Sequence, residues 1–240
     1  AFRWGRMTVV DRAFVEAEIA KYAPKIEKPT LSAAARAIVD AVGVQGETKR
    51  LLEVRVPDLI DYQDEAYAKR YADVIKRVVA AEAKTAPGKS GLAEAAARYL
   101  YKLMAYKDEY EVARLHTDPA FLAQLDAQFK HGCTVKYNLA PPTISKKDPV
   151  TGHLIKKQFG PWMRSAFGWM KKFKGLRGGA LDVFGKTEER RVERQLIEDY
   201  IKELDAICAA LSPANHAAAV ALASVPDEIR GYGHVKEKSM

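Results

Sequence analysis

Asp58–Lys84 reads DLIDYQDEAYAKRYADVIKRVVAAEAK, without a proline or a glycine. Leu59, Tyr62, Ala66, Tyr67, Tyr71, Val74, Ile75 and Val78 recur at steps of three and four, which places them on one face of a helix. The spacing predicts one long amphipathic helix. Thr85–Gly91 breaks the pattern, and Leu92–His116 resumes it with Leu92, Ala96, Tyr99, Leu100, Leu103, Tyr106, Tyr110 and Ala113. Two long helices across so short a loop make an antiparallel hairpin. The fold class that follows is mainly α: a helical domain with long antiparallel helix hairpins and a short β or irregular segment rich in Gly, Pro and aromatic residues.

Working outward, Asp11–Tyr22 reads as a helix ended by Pro24, while Ala1–Arg6 is aromatic and basic with no capping residue. Ser32–Val42 is Ala-rich and stops at Gly43, and Gly43–Glu47 reads as a turn. Asp118-Pro119 puts an N-cap acid before a first-turn proline and opens a helix through Phe129, closed by Gly132. Cys133–Leu139 alternates as a short edge strand would before Pro141-Pro142. Ser145–Gly185 is irregular, with one short helix near Trp162–Phe173. Thr187 caps a long helix whose stripe is Val192, Leu196, Tyr200, Leu204, Ile207 and Leu211, and Ser212-Pro213 starts an Ala-rich helix that ends near Val225-Pro226. The expected division is a linker from a preceding domain with a first helix over 1–30, then a helical domain over 31–240 containing an irregular basic segment, 133–186.

With 240 residues, 48% hydrophobic and 29% charged, the chain reads as a folded globular protein. No apolar run reaches the roughly 18 residues of a membrane span, Ala1–Arg6 has no signal-peptide core, and the expected compartment is the cytoplasm. Cys133 and Cys208 form no CxxC pair for zinc, an iron–sulfur cluster or a redox dithiol. Gly88-Lys89-Ser90 lacks the earlier glycine of a phosphate-binding loop because position 83 is Ala83, and Gly231-Tyr232-Gly233 lacks the third glycine of a dinucleotide fingerprint. His131 and Cys133 have no orienting third group, and the other histidines have no partner at metal-ligand spacing. The residues alone point to no catalytic centre and no metal site.

The net charge of +8 is concentrated: Lys146–Arg191 holds 12 basic and 4 acidic residues, interleaved with Phe159, Trp162, Phe167, Trp169 and Phe173. Three readings stand side by side: a solvated loop, a surface steering an acidic protein, and a backbone-tracking nucleic-acid surface. The last lacks any helix-turn-helix, RNA-recognition, KH or zinc-finger signature.

Seven strings together resemble one family: YQDEAYA at Tyr62–Ala68, KLMAYKDEYEVARL at Lys102–Leu115, LAPP at Leu139–Pro142, FGPWM at Phe159–Met163, LRG at Leu176–Gly178, DVFGKTEERR at Asp182–Arg191 and IRGYGHVKE at Ile229–Glu237. The chain resembles the C-terminal domain of the large fused indolepyruvate ferredoxin oxidoreductases, and Ala1–Arg6 is similar to the end of the gamma-type domain that precedes it there. The likeness spans nearly the whole chain, with Gly179 standing where the family's string carries Thr. It implies an oligomeric, membrane-free enzyme that oxidatively decarboxylates aryl 2-oxoacids to acyl-CoA, using thiamine diphosphate and iron–sulfur clusters, with coenzyme A as substrate and ferredoxin as electron acceptor. The cofactor-binding parts precede this region in such fusions, so the resemblance implies no catalytic or cofactor-binding residue here. What it implies for this chain is a noncatalytic structural or docking role toward the preceding catalytic domains of the same polypeptide and toward ferredoxin.

The expected interaction residues are Lys156, Lys157, Lys171, Lys172, Arg177, Arg230, His234 and Lys236. Arg177 beside Gly178-Gly179 also suits a phosphate of coenzyme A, because backbone amides and a planar guanidinium both donate to it. The alternative is a free-standing basic helical module that binds an acidic protein or nucleic acid, with nucleic acid disfavoured.

Overall fold

The computed structural model describes residues 2–22, 30–129, 132–140, 145–146 and 155–231. The architecture is mainly α, with eleven α-helices and one two-stranded sheet among the described residues. The chain divides into two compact units, Ala1–Thr30 and Leu31–Met240. The first unit holds α1 (Phe2–Val10) and α2 (Arg12–Tyr22). Asp11 accepts a hydrogen bond from the Phe14 amide at 2.9 Å, and Trp4 stacks on Phe14 with ring centroids 6.4 Å apart. The uncapped opening Ala1–Arg6 thus lies largely in a helix, which sequence reasoning had not assigned.

The second unit is built around α3 (Ala33–Asp40), α4 (Gly46–Tyr62), α5 (Glu65–Thr85), α6 (Leu92–Met104), α10 (Glu188–Ala210) and α11 (His216–Ala223). Their buried faces share one core that includes Val39, Leu52, Leu59, Ile75, Leu100 and Leu204. α5 and α6 are the expected antiparallel hairpin. Tyr67 Oη donates to the Met104 carbonyl, Tyr71 Oη to that of Ala97, and the Leu92 amide to the Glu82 carboxylate, so one helix descends as the other rises. α10 lies parallel to α5, since Arg70 pairs with Glu198 and Arg77 with Asp205.

Both long helices expected from the hydrophobic period are interrupted. The Asp58–Lys84 stretch belongs to α4 and α5, parted where Asp64 takes an extended backbone and accepts from the Tyr67 amide at 2.8 Å. Pro57 lies inside α4. The Leu92–His116 stretch belongs to α6 and α7 (Glu109–His116), parted where Asp108 caps α7 by accepting from the Glu111 amide at 2.8 Å. A two-stroke break costs a helix its terminal bonds, and the compensation comes from elsewhere in the chain. Lys174 Nζ donates to the Ile60 and Asp61 carbonyls at 3.0 and 2.7 Å, and Arg177 Nη1 to the Tyr62 carbonyl at 2.6 Å. Cations on the last carbonyls of α4 also oppose its dipole.

A smaller core forms beyond α7. Tyr137–Leu139 (β1) pairs antiparallel with Lys157–Phe159 (β2), in register Tyr137 to Phe159. Sequence reasoning expected β1 as an edge strand but not its basic partner. Ala113, Tyr137, Met163 and Phe167 are buried together, with Phe167 supplied by α9 (Met163–Met170). His116 stacks on Phe167 at 5.3 Å between ring centroids and meets Tyr137 edge-on at 5.2 Å. α8 (Pro119–Gln128) starts at Asp118, which accepts from the Ala120 and Phe121 amides. No helix among the described residues is long and apolar enough to cross a membrane.

Candidate functional site

The basic segment leaves β2, turns through Gly160-Pro161, forms α9 and then tightens into a 3-10 helix, Lys171–Leu176. α9 buries Met163 and Phe167 in the small core, which turns its other side outward. Trp162 is 61% exposed, Trp169 69% and Phe173 45%. Phe173 lies 6.3 Å from Trp169 between ring centroids, and Lys172 Nζ lies 6.0 Å from the Trp169 ring. In the same stretch of chain Lys156, Lys157, Arg164 and Lys172 are exposed and Lys171 is half-buried. Four of the eight expected interaction residues therefore lie in one stretch with three exposed aromatic rings.

Arg177 departs from that expectation. It is buried, with its Nε and Nη2 on the two oxygens of Asp108 at 2.5 and 3.0 Å and its carbon Cζ 3.7 Å from the centre of the Tyr62 ring. Its charge is neutralised inside the protein, so it is not on the interaction surface. In the neighbouring glycine loop the amides are already engaged. Asp182 fills it, accepting from the amides of Gly178 at 2.7 Å, Phe184 at 3.1 Å and Gly185 at 2.9 Å, and from Tyr110 Oη at 3.2 Å. Burial alone would raise this carboxyl, but those hydrogen bonds hold it below its ordinary value. The backbone donors expected to take an external anion hold the chain's own carboxylate.

Arg230 is exposed and lies beyond the last helices, with Nη2 3.1 Å from Asp227 Oδ2. His234 and Lys236 lie outside the described residues. The sequence alone does not single out Asp108, one acid in the charged run Lys107–Glu111. Sequence reasoning also missed Glu82, whose buried carboxylate accepts from the Leu92 and Ala93 amides at 2.9 and 3.0 Å and lies 2.7 Å from His216 Nε2. The one available signal was a carboxylate on the apolar side of its helix. Among the described residues no group of three or more His, Cys, Asp or Glu is placed to hold a metal ion.

Residues 48–240 match the model of a family described as Family of unknown function (DUF6537). The chain belongs to this family. No curated protein and no solved structure matches it. The DUF6537 match begins within α4 and takes in both helix breaks, the small core and the basic aromatic face. In this DUF6537 chain the Arg177–Asp108 pair and the exposed Trp162 and Trp169 thus lie inside the family region.

Proposed function

We propose that this chain is a noncatalytic docking domain of a ferredoxin-dependent 2-oxoacid oxidoreductase of the indolepyruvate type, and that its basic aromatic face receives an acidic protein, ferredoxin. The observation that carries the reading is the exposure of Trp162, Trp169 and Phe173 amid Lys156, Lys157, Lys171 and Lys172. Exposed rings supply contact area, and surrounding cations accelerate encounter with an acidic partner. The resemblance of the seven strings to the fused oxidoreductases supplies the choice of partner. Thiamine diphosphate, the iron–sulfur clusters and the coenzyme A site belong, in this reading, to the preceding domains of the same polypeptide.

The test uses the full-length oxidoreductase with Lys156, Lys157, Lys171 and Lys172 changed to Glu. Reduction of ferredoxin at low ionic strength is expected to fall by about tenfold, while reduction of a viologen dye is unchanged. Equal loss with both acceptors overturns the proposal. The same rings and cations would also suit stacking with single-stranded nucleic acid, which is the second reading. Salt-sensitive binding of an oligonucleotide, lost in Trp162→Ala and Trp169→Ala, would favour it.

A further inference from the structure

A cleft of 690 Å3, lined by no residue of α9, opens between α4, α6, α10, the 105–107 connection and the segment after α11. Its size lies within the range of about 300–1,000 Å3 usual for small-molecule sites. Five cationic side chains line it, Arg55, Arg98, Lys102, Lys107 and Arg230, against two carboxylates, Glu193 and Asp227. Glu193 is turned toward Arg190 Nη1 at 2.5 Å, and Asp227 lies 3.7 Å from Lys102 and 3.1 Å from Arg230. The charge of the cleft is decidedly positive.

Two of the lining arginines come from the packed helices α4 and α6. Arg55 lies with its Cζ 4.1 Å from the centre of the Tyr101 ring, and its buried Nε has no hydrogen-bond partner among the described residues. Tyr101 is itself fixed, because its hydroxyl donates to Asp58, whose other oxygen accepts from Arg114 at 2.9 Å. Arg98 projects from α6 one turn before Lys102, bonded on one side to Glu47 and 44% exposed. A planar guanidinium matches phosphoryl oxygens in pairs. Lys102 closes one wall by donating to the Pro226 and Asp227 carbonyls at 2.9 and 3.0 Å, so the lining does not depend on the ligand to hold its shape.

We propose that this cleft binds a small polyanion carrying at least two phosphoryl groups, with Arg55 and Arg98 as its principal donors. The site is separate from the α9 face, and the inference does not rest on the docking reading. Cations spread along the lining match a ligand whose own charge is spread over two phosphoryl groups better than a single carboxylate, which reaches only one end of the cleft.

Calorimetric titration of the 240-residue chain with inorganic pyrophosphate tests the assignment. Saturable binding is expected, weakening as salt rises, with Kd increased at least tenfold by Arg55→Gln and by Arg98→Gln. Because Arg55 is half-buried, circular dichroism of each variant accompanies the titration, and the exposed Arg98→Gln carries the test if Arg55→Gln unfolds. The double change Lys171→Glu and Lys172→Glu, at residues that do not line the cleft, is expected to leave Kd within twofold. Absence of binding at millimolar pyrophosphate in low salt, equal affinity for acetate, or equal weakening by the Lys171 and Lys172 changes overturns the proposal.

Discussion

Arg177 grips both oxygens of Asp108 from 69 positions further along the chain, and each side chain is only 3% exposed. The same guanidinium reaches the final carbonyl of α4, while Asp108 caps α7. One cation thus completes the end of one helix and fixes the start of another. Removing it leaves a buried carboxylate without its counter-charge, a loss of about 3–5 kcal/mol. Arg177→Met is therefore expected to lower the urea midpoint sharply, and Arg177→Lys to recover only part because an ammonium cannot make the paired contact. Lys172→Glu, at an exposed position, is expected to stay within about 0.5 kcal/mol of the parent.

The Asp182 turn predicts a different sensitivity. A Cβ added at Gly185 would come within 2.1 Å of Asp182 Oδ2, an oxygen held by the Gly178 amide. Gly185→Ala must displace that carboxylate and is expected to cost about 1–3 kcal/mol in equilibrium unfolding. The depressed Asp182 carboxyl also sets a direction with pH. Its stabilisation is present above the ordinary carboxyl value of 3.8 and is lost as pH falls below it, and Asp182→Asn is expected to flatten that part of the acid unfolding profile.

His116 is expected to titrate below 6.5, first because it is buried against Phe167 and Tyr137 and then because Lys107 is near. The folded state then binds fewer protons than the unfolded one. Stability of the small core is complete above 6.5 and declines as pH falls from there toward the folded value. NMR titration of the His116 ring gives the pKa directly, and amide exchange in Tyr137–Leu139 should quicken over the same interval. A ring that titrates at or above 6.5 would contradict this account.

Glu82 supplies a fourth measurement. Its carboxylate receives two amides at the start of α6 and faces His216 on α11, and no nearer side chain does so, because the residue at the helix entrance is Gly91. Glu82→Ala leaves those buried donors unsatisfied and is expected to cost about 1–3 kcal/mol. Glu82→Gln keeps one acceptor oxygen and should cost less. Thermal unfolding of the pair separates the two.

The helix ends that could be read from the sequence are those whose caps are adjacent. Ser32, Asp118 and Thr187 each accept from an amide two or three residues on, and α3, α8 and α10 begin where those residues predict. The breaks at Gln63 and at 105–107 were invisible because the apolar period runs through them: Leu59, Tyr62 and Tyr67 on one side, Leu103, Tyr106 and Tyr110 on the other. What ends α4 there is Lys174 and Arg177, more than a hundred positions away. In composition Arg177 is one more cation in a basic segment. Only the fold distinguishes it from Lys171 and Lys172, which stay at or near the surface. The cleft lined by Arg55 and Arg98 was equally hidden, since its lining comes from four stretches far apart in sequence.

The Arg177 contacts also impose an order in time. A chain made from its N-terminus can form the α5–α6 hairpin early, since Glu82 meets the Leu92 amide across 10 positions. The ends of α4 and α7 must wait, because their closing guanidinium lies 115 positions after Tyr62 and 69 after Asp108. During synthesis the nascent helical domain therefore carries two unfinished seams, and the arrival of one arginine closes both.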